Sequence, residues 1–392
     1  MREVVICSAV RTPVGSFLGG LSSLSANQLG VLAINEAMAR AGLKAEQVDE
    51  VIMGCVLPAG LGQNPARQAA LMAGMPFEVG CITVNKVCGS GLKSVMLAAQ
   101  AIACGDADIV VAGGMESMSG APYLLPKART GMRMGDGQAV DSMVHDGLWD
   151  HINDFHMGMS AELCADKYGV SRVDQDLFAF ESYEKSLKAA DEGRFDSQIL
   201  PVEIPQRKGD PKIVKRDEGL MAPDLDKLGA LRTVFKKDGS VTAGNASSLN
   251  DGAAAVVVMS ADKARELGCT PLVKVGAQGA AGIDPKYVLV APILSIPKVA
   301  AKQGIDPKDI ELMEVNEAFA SSSIAVQREL GLDPERINIY GGALSIGHPI
   351  GASGARVLTT LIYAMKDVGA ANGMASLCLG GGEAVSLIVE NI

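Results

Sequence analysis

Val84-Asn85-Lys86-Val87-Cys88-Gly89-Ser90-Gly91-Leu92 passes from a strand through a turn of small residues into a helix. Ile82, Thr83 and Val84 read as a short buried strand. Leu92 to Ala103 has the composition of a helix. A thiol at such a turn lies near a helix N-terminus, whose partial positive charge favours the thiolate. The flanking glycines permit tight turns and close approach of a second molecule. Free cysteine is also a common small core residue, so this stretch alone leaves a nucleophile and a packing residue both open.

Working outward, the same unit recurs. Gly89-Ser90-Gly91, a helix, Gly105, a strand and Gly113-Gly114-Met115-Glu116 match Ala352-Ser353-Gly354, a helix, Gly369, a strand and Gly380-Gly381-Gly382-Glu383. Self-similarity of this kind indicates duplication of one α/β unit. The fold class is therefore α/β: two pseudo-symmetric halves with their strand-end loops around one cleft, where α/β sheets bind ligands.

The flanking sequence fits. Strands are expected at Glu3–Ser8, Glu50–Gly54, Asp108–Ala112, Ala253–Met259, Leu272–Ala277, Glu311–Val315, Ile337–Tyr340, Ala375–Leu379 and Ala384–Val389. Arg11-Thr12-Pro13-Val14-Gly15 reads as a rigid turn. Helices are expected from Ser25 (as N-cap) to Ala41, over Asn64–Ala73, from the Ser260 cap to Leu267, and over Ile296–Gln303 with Ser295 as cap and Pro297 in the first turn. Further helices are expected over Asn316–Leu330 and Ala355–Val368, with Gly341–Gly354 as a loop. Between Ser117 and Asn250 the chain is loopier, with two clear helices, Met159–Tyr168 and Asp174–Glu192. That length marks a functional insertion rather than a plain loop.

With 392 residues, 48% hydrophobic and 20% charged, the chain can bury a large core. A net charge of −10 argues against a nucleic-acid partner. No apolar run is expected to span a membrane, and Met1–Ile6 enters a strand with no charged-then-apolar leader. The eight cysteines form no C-x-x-C pair or zinc-like spacing, so no metal is expected, and reduced thiols in the cytoplasm are.

Beside Cys88, three residues stand at strand ends or in glycine-rich turns. His348, between Gly347 and Pro349, is either a turn histidine bonded to backbone or the base for a thiol. Cys378 is either a buried strand thiol or a second reactive group. Asn316 is either a helix N-cap or a polar group orienting water.

The blocks Arg11–Gly15, Asn85–Gly91, Gly113–Met118, Asn316–Phe319, Gly347–Gly354 and Cys378–Gly382, in this order over the whole chain, resemble the thiolase family, and within it the short-chain acetoacetyl-CoA-forming branch. The resemblance implies a layered αβαβα arrangement with an inserted loop domain: a first half of 1–117 plus 250–270, a loop domain of 118–249 and a second half of 271–392. It implies that Cys88 is acylated, that His348 takes its proton, and that Cys378 is the second acid/base. Asn316 would hold a water in one oxyanion hole with His348, and the N–H groups of Cys88 and Gly380 would form the other. It also implies coenzyme A contacts from Leu148, His156, Met157, Phe235, Ala243, Ser247, Ala318 and Phe319. The pair His156-Met157 would limit acyl length.

The implied reaction joins two acetyl-CoA into acetoacetyl-CoA and coenzyme A. The alternative is a broader-chain 3-ketoacyl-CoA thiolase of fatty-acid degradation. Coenzyme A would be a substrate, with no tightly bound cofactor. Tyr123–Met143 resembles a tetramerisation loop, so a homotetramer is expected. A disulfide between Cys88 and Cys378 is a conceivable off-state. The chain departs from the family at Asp217-Glu218-Gly219-Leu220-Met221, where a basic residue is usual; Lys215, Arg216, Arg207, Lys208 or Lys227 would then meet the phosphates. Tyr340 also stands where a smaller residue is common, and Trp149 is a candidate for stacking on the cofactor.

Overall fold

The computed structural model describes residues 1–392. Nine strands make the central sheet: β1 (Val4–Arg11), β2 (Glu50–Gly54), β3 (Gly80–Val84), β4 (Ile109–Ser117), β5 (Asn250–Ser260), β6 (Val273–Gly282), β7 (Leu312–Val315), β8 (Asn372–Leu379) and β9 (Glu383–Asn391). The main helices are α1 (Ala26–Ala41), α2 (Pro65–Met72), α3 (Ser90–Cys104), α4 (Met157–Tyr168), α5 (Arg172–Asp191), α6 (Pro292–Gln303), α7 (Ala320–Leu330) and α8 (Ser353–Val368).

The strand order is β7-β8-β9-β6-β1-β5-β4-β2-β3, with Gly15–Ser16 pairing on β5. In the first half β1, β5 and β4 are antiparallel neighbours, and β4, β2 and β3 run parallel. In the second half β6, β9 and β8 are antiparallel and β8–β7 is parallel. The two topologies repeat, and they join where Val5 and Ile6 of β1 face Lys274 and Val273 of β6.

The helices form three layers. α3 and α8 lie against each other in the middle, sharing one apolar core with both halves of the sheet. α1 and α2 cover the outer face of the first half, and α6 and α7 that of the second. The 87–104 window, with a mean hydropathy of 1.4, is thus the central helix α3 and the turn before it. More than half of that window is buried in the core, which is where its apolar residues belong.

Most sequence-derived elements stand, with shifted ends. Six do not. The strand at Ile82–Val84 is not buried: it belongs to β3 at the edge of the sheet, and Ile82 is exposed. The Gly341–Gly354 loop contains a one-turn helix, Ala343–Ile346. Ile337–Tyr340 is not a strand; only Ile337 bridges Met313 of β7. The Asn338 side chain replaces the missing ladder, accepting from Val315 N at 2.9 Å and donating to Val315 O at 2.8 Å. α6 begins at Pro292, so Pro297 lies inside the helix and Ser295 is no cap; the Ser295 hydroxyl meets Ser386 Oγ at 2.8 Å. Asn316 is not an N-cap, because α7 starts at Ala320. Arg11 ends β1 rather than opening a turn, and its buried guanidinium grips Asp217 at 2.6 and 2.9 Å.

The 118–249 segment forms short hairpins of its own, together with α4 and α5 and the small helices Ser142–Gly147 and Leu225–Ala230.

Candidate active site

Two helix starts meet at the centre. A Cβ on Gly354 would sit 2.2 Å from Leu92 N, and one on Gly91 would sit 2.8 Å from Ala355 N. Only glycine allows the N-termini of α3 and α8 to approach backbone to backbone. This contact sets the Cys88 turn beside the His348 loop.

The Cys88 turn is over-determined. Val87, a β-branched residue, holds φ at 45°, a conformation costing about 1–3 kcal/mol. The Ser90 hydroxyl accepts from Lys86 N at 2.8 Å and donates to Val87 O at 2.6 Å, while Asn85 Oδ1 accepts from Val87 N at 3.0 Å. Lys86 pairs with Glu383 of the second half. Glu116, buried at the end of β4, accepts from Val56 N at 3.0 Å, Leu57 N at 3.2 Å and Gly351 N at 2.9 Å. Burial still pushes its carboxyl up to about 7.

Burial pushes the Cys88 thiol up to about 11, although the N–H groups of Gly380 and of Cys88 itself pull the other way. Desolvation thus opposes the pull of the helix start towards the thiolate. Cys378 is raised further, by burial and then by the neighbouring Cys88 sulfur. Both thiols carry their protons at neutral pH.

His348 is neutral and its tautomer is fixed. Burial, then the charge of Arg356, lowers its pKa to about 3. The Ser353 hydroxyl lies 2.9 Å from Pro349 O and 2.6 Å from His348 Nδ1; donating to the carbonyl, it accepts from Nδ1–H. Nε2 is left as a bare acceptor with no protein partner. The backbone of the same residue is held by Asn250, whose Oδ1 accepts from His348 N at 2.7 Å.

These groups face a mostly apolar cavity of about 380 Å³. Cys88, His348, Cys378 and Gly380 line it, together with Leu148, His156, Met157, Phe235, Ala243, Ser247, Ala318 and Phe319. Asn316 is the one named site residue outside the lining. It is buried behind, with Oδ1 accepting from Arg356 Nη2 at 3.3 Å and Nδ2 unpartnered.

His156 caps α4, its Nδ1 accepting from Gly158 N at 3.0 Å, and its ring stacks on Phe235 at 4.7 Å. A Cβ on Gly158 would collide with that phenyl ring.

The chain is matched by the family models described as "Thiolase, N-terminal domain" over residues 4–262 and "Thiolase, C-terminal domain" over 269–391. It belongs to the thiolase family. It is 54% identical over 391 residues to an acetyl-CoA acetyltransferase of Cupriavidus necator, covering all of both chains. It is 50% identical to a probable acetyl-CoA acyltransferase of Staphylococcus aureus, covering 100% of this chain and 99% of that one. The crystal structure of the Bacillus anthracis acetyl-CoA acetyltransferase superposes with a TM-score of 0.98 at 42% identity, covering 100% of this chain and 99% of that one.

Sequence reasoning on this thiolase missed several groups. Met118, Met143, Leu249, Val288, Leu289 and Ile350 also line the cavity. Ser353 and Glu116 lay inside blocks already singled out. Lys215 and Arg216 lie outside the cavity, and Arg216 pairs with Asp191 at 2.8 Å. Lys227 pairs with Asp224 at 3.1 Å. The acidic pair that replaces the family's basic residue is structural: Asp217 binds Arg11, and Glu218 accepts from Ser16 N and Gly20 N at 2.9 Å each. Tyr340 points elsewhere, donating to Asp367 Oδ2 at 2.8 Å. Trp149 bonds Asp154 at 3.1 Å and does not line the cavity.

Proposed function

We propose that this thiolase is an acetyl-CoA acetyltransferase, converting two acetyl-CoA reversibly into acetoacetyl-CoA and coenzyme A. The observation that carries the reading is two thiols, Cys88 and Cys378, on one mostly apolar cavity with an imidazole whose Nε2 has no protein partner.

His348 Nε2 takes the Cys88 proton as the sulfur attacks the thioester carbonyl. The C–S bond of the substrate breaks, coenzyme A leaves with the proton of Cys378, and His348 keeps the Cys88 proton on Nε2 until the Cys88 sulfur is freed again. Cys378, once deprotonated, removes a proton from the methyl of a second acetyl-CoA; that carbon attacks the acetyl-Cys88 carbonyl and frees the Cys88 sulfur. Negative charge builds on thioester oxygens in each step. The N–H groups of Cys88 and Gly380 serve one such oxygen, and His348 with a water held by Asn316 the other. Preorganised donors of this kind each contribute about 3–4 kcal/mol. In reverse, Cys378 returns the proton to the departing carbanion.

The loop domain, taken as 118–249, supplies Leu148, His156, Met157, Phe235, Ala243 and Ser247 to the coenzyme A side. Residues 1–117 with 250–270, and 271–392, form the two halves. The stacked His156–Phe235 pair and Met157 bound the acyl end and favour short chains over the fatty-acid-degrading alternative. Reduced thiols at the centre suit the cytoplasm. A homotetramer is supported by the exposed Tyr123, Leu125, Met132 and Met134 of the 123–143 segment.

Steady-state thiolysis across 3-ketoacyl-CoA chain lengths tests this. Activity is expected to be highest at four carbons; a strong rise beyond four carbons would favour the broader-chain enzyme.

A further inference from the structure

α8 presents Ser353 and Arg356 three residues apart, on one face of its first turn. Ser353 fixes the His348 ring from behind, through Nδ1. Arg356 stands in the same relation to Asn316. It is fully buried, and its only hydrogen bond runs from Nη2 to Asn316 Oδ1 at 3.3 Å. Nε and Nη1 have no protein partner. Glu314 of β7 is the carboxylate whose charge acts most on Arg356, yet it forms no ion pair with it and its Oε1 is unpartnered.

A buried guanidinium without a tight carboxylate is expensive to keep. Packing alone does not require one at this place. An amide side chain has two ends of nearly equal shape and opposite polarity. A cation at one end decides the matter: the carbonyl oxygen must face it, and the NH₂ must point away. Asn316 Nδ2 is the end left without a partner.

We propose that Arg356 is the positioning residue of the second oxyanion hole. It holds the Asn316 amide with its NH₂ presented as a donor, as Ser353 holds His348 with Nε2 presented. One helix turn thus orients both groups, and neither Ser353 nor Arg356 lines the cavity. The inference rests on the proposed reading of the site, in which Asn316 and His348 serve the same thioester oxygen.

A double-mutant cycle tests it, using the full-length enzyme with acetoacetyl-CoA and coenzyme A. Wild type must first show thiolysis; if it does not, the functional reading fails rather than the inference. In an active enzyme, Arg356→Met is expected to lower kcat about 10–100-fold with KM changed less than about threefold, the pattern of a lost transition-state contact. Asn316→Ala should cost a similar factor. The double variant should lose no more than either single one, because Arg356 acts through Asn316. Losses that multiply, or an unchanged kcat in Arg356→Met, would overturn the proposal.

Should Arg356→Met not fold, Asn316→Asp gives the answer. That side chain keeps an oxygen towards Arg356 and replaces the NH₂ by an acceptor. It is expected to melt at or above the temperature of Asn316→Ala while losing kcat to the same degree. A lower melting temperature than Asn316→Ala would show that no cation faces that oxygen.

Discussion

At the start of α3 the Ser90 hydroxyl accepts from the Lys86 amide and donates to the Val87 carbonyl; at the start of α8 the Ser353 hydroxyl accepts from the His348 ring and donates to the Pro349 carbonyl. Both serines open a central helix, and both are followed by the glycine that lets the helices touch. In the first turn the acceptor is used on backbone, and the result is a held left-handed Val87 immediately before a thiol. In the second it is used on a side chain, and the result is a fixed imidazole tautomer. One duplicated unit therefore yields a nucleophile turn and a base turn by changing which N–H the serine receives.

The comparison can be broken first at the shared contact. Gly354→Ala drives a methyl group onto the backbone nitrogen of Leu92, which cannot move alone. It should cost about 3 kcal/mol or more, or prevent folding. A urea midpoint like that of wild type would show that the helix starts do not interlock. The two serines separate next. Ser353→Ala should lower kcat about 10–100-fold with stability nearly kept, as expected for a base set in the wrong tautomer. Ser90→Ala should mainly lose stability, by about 1–2 kcal/mol, read from the same unfolding curves. Equal effects on kcat and stability in both variants would erase the distinction.

A further effect is in the resting state. With the Cys88 pKa near 11, its thiolate fraction rises tenfold per pH unit throughout the physiological range. Alkylation of the free enzyme should climb from pH 7 to 9 without a plateau. A plateau below pH 8 would mean that the helix start wins over burial. His348, with a pKa near 3, stays neutral over the same range, so an acid limb of activity near pH 6 should not follow its titration.

The fold was legible where a local pattern is enough. Ser25 and Ser260 cap helices as their types predict, and the strand-to-helix turn at Cys88 is where its glycines put it. The missing strand at Ile337–Tyr340 was not legible, since it depends on Asn338 folding back on β7 rather than on the apolar character of the segment. The lining residues from the insertion were legible only through family resemblance, because Leu148 and Phe235 have no local signature that separates a pocket wall from a core. The protonation states were hidden for another reason. A helix start can be read from sequence; the desolvation that opposes its effect on Cys88 depends on chain segments far apart, among them Met118, Met143 and Ile350.

The central claim is that Cys88 carries the acyl group and Cys378 serves only the carbon–carbon step. Mass spectrometry of wild type, Cys88→Ala and Cys378→Ala after incubation with acetyl-CoA tests it most directly. One acetyl adduct is expected on wild type and on Cys378→Ala, and none on Cys88→Ala. An adduct persisting on folded Cys88→Ala, or absent from folded Cys378→Ala, would contradict the account.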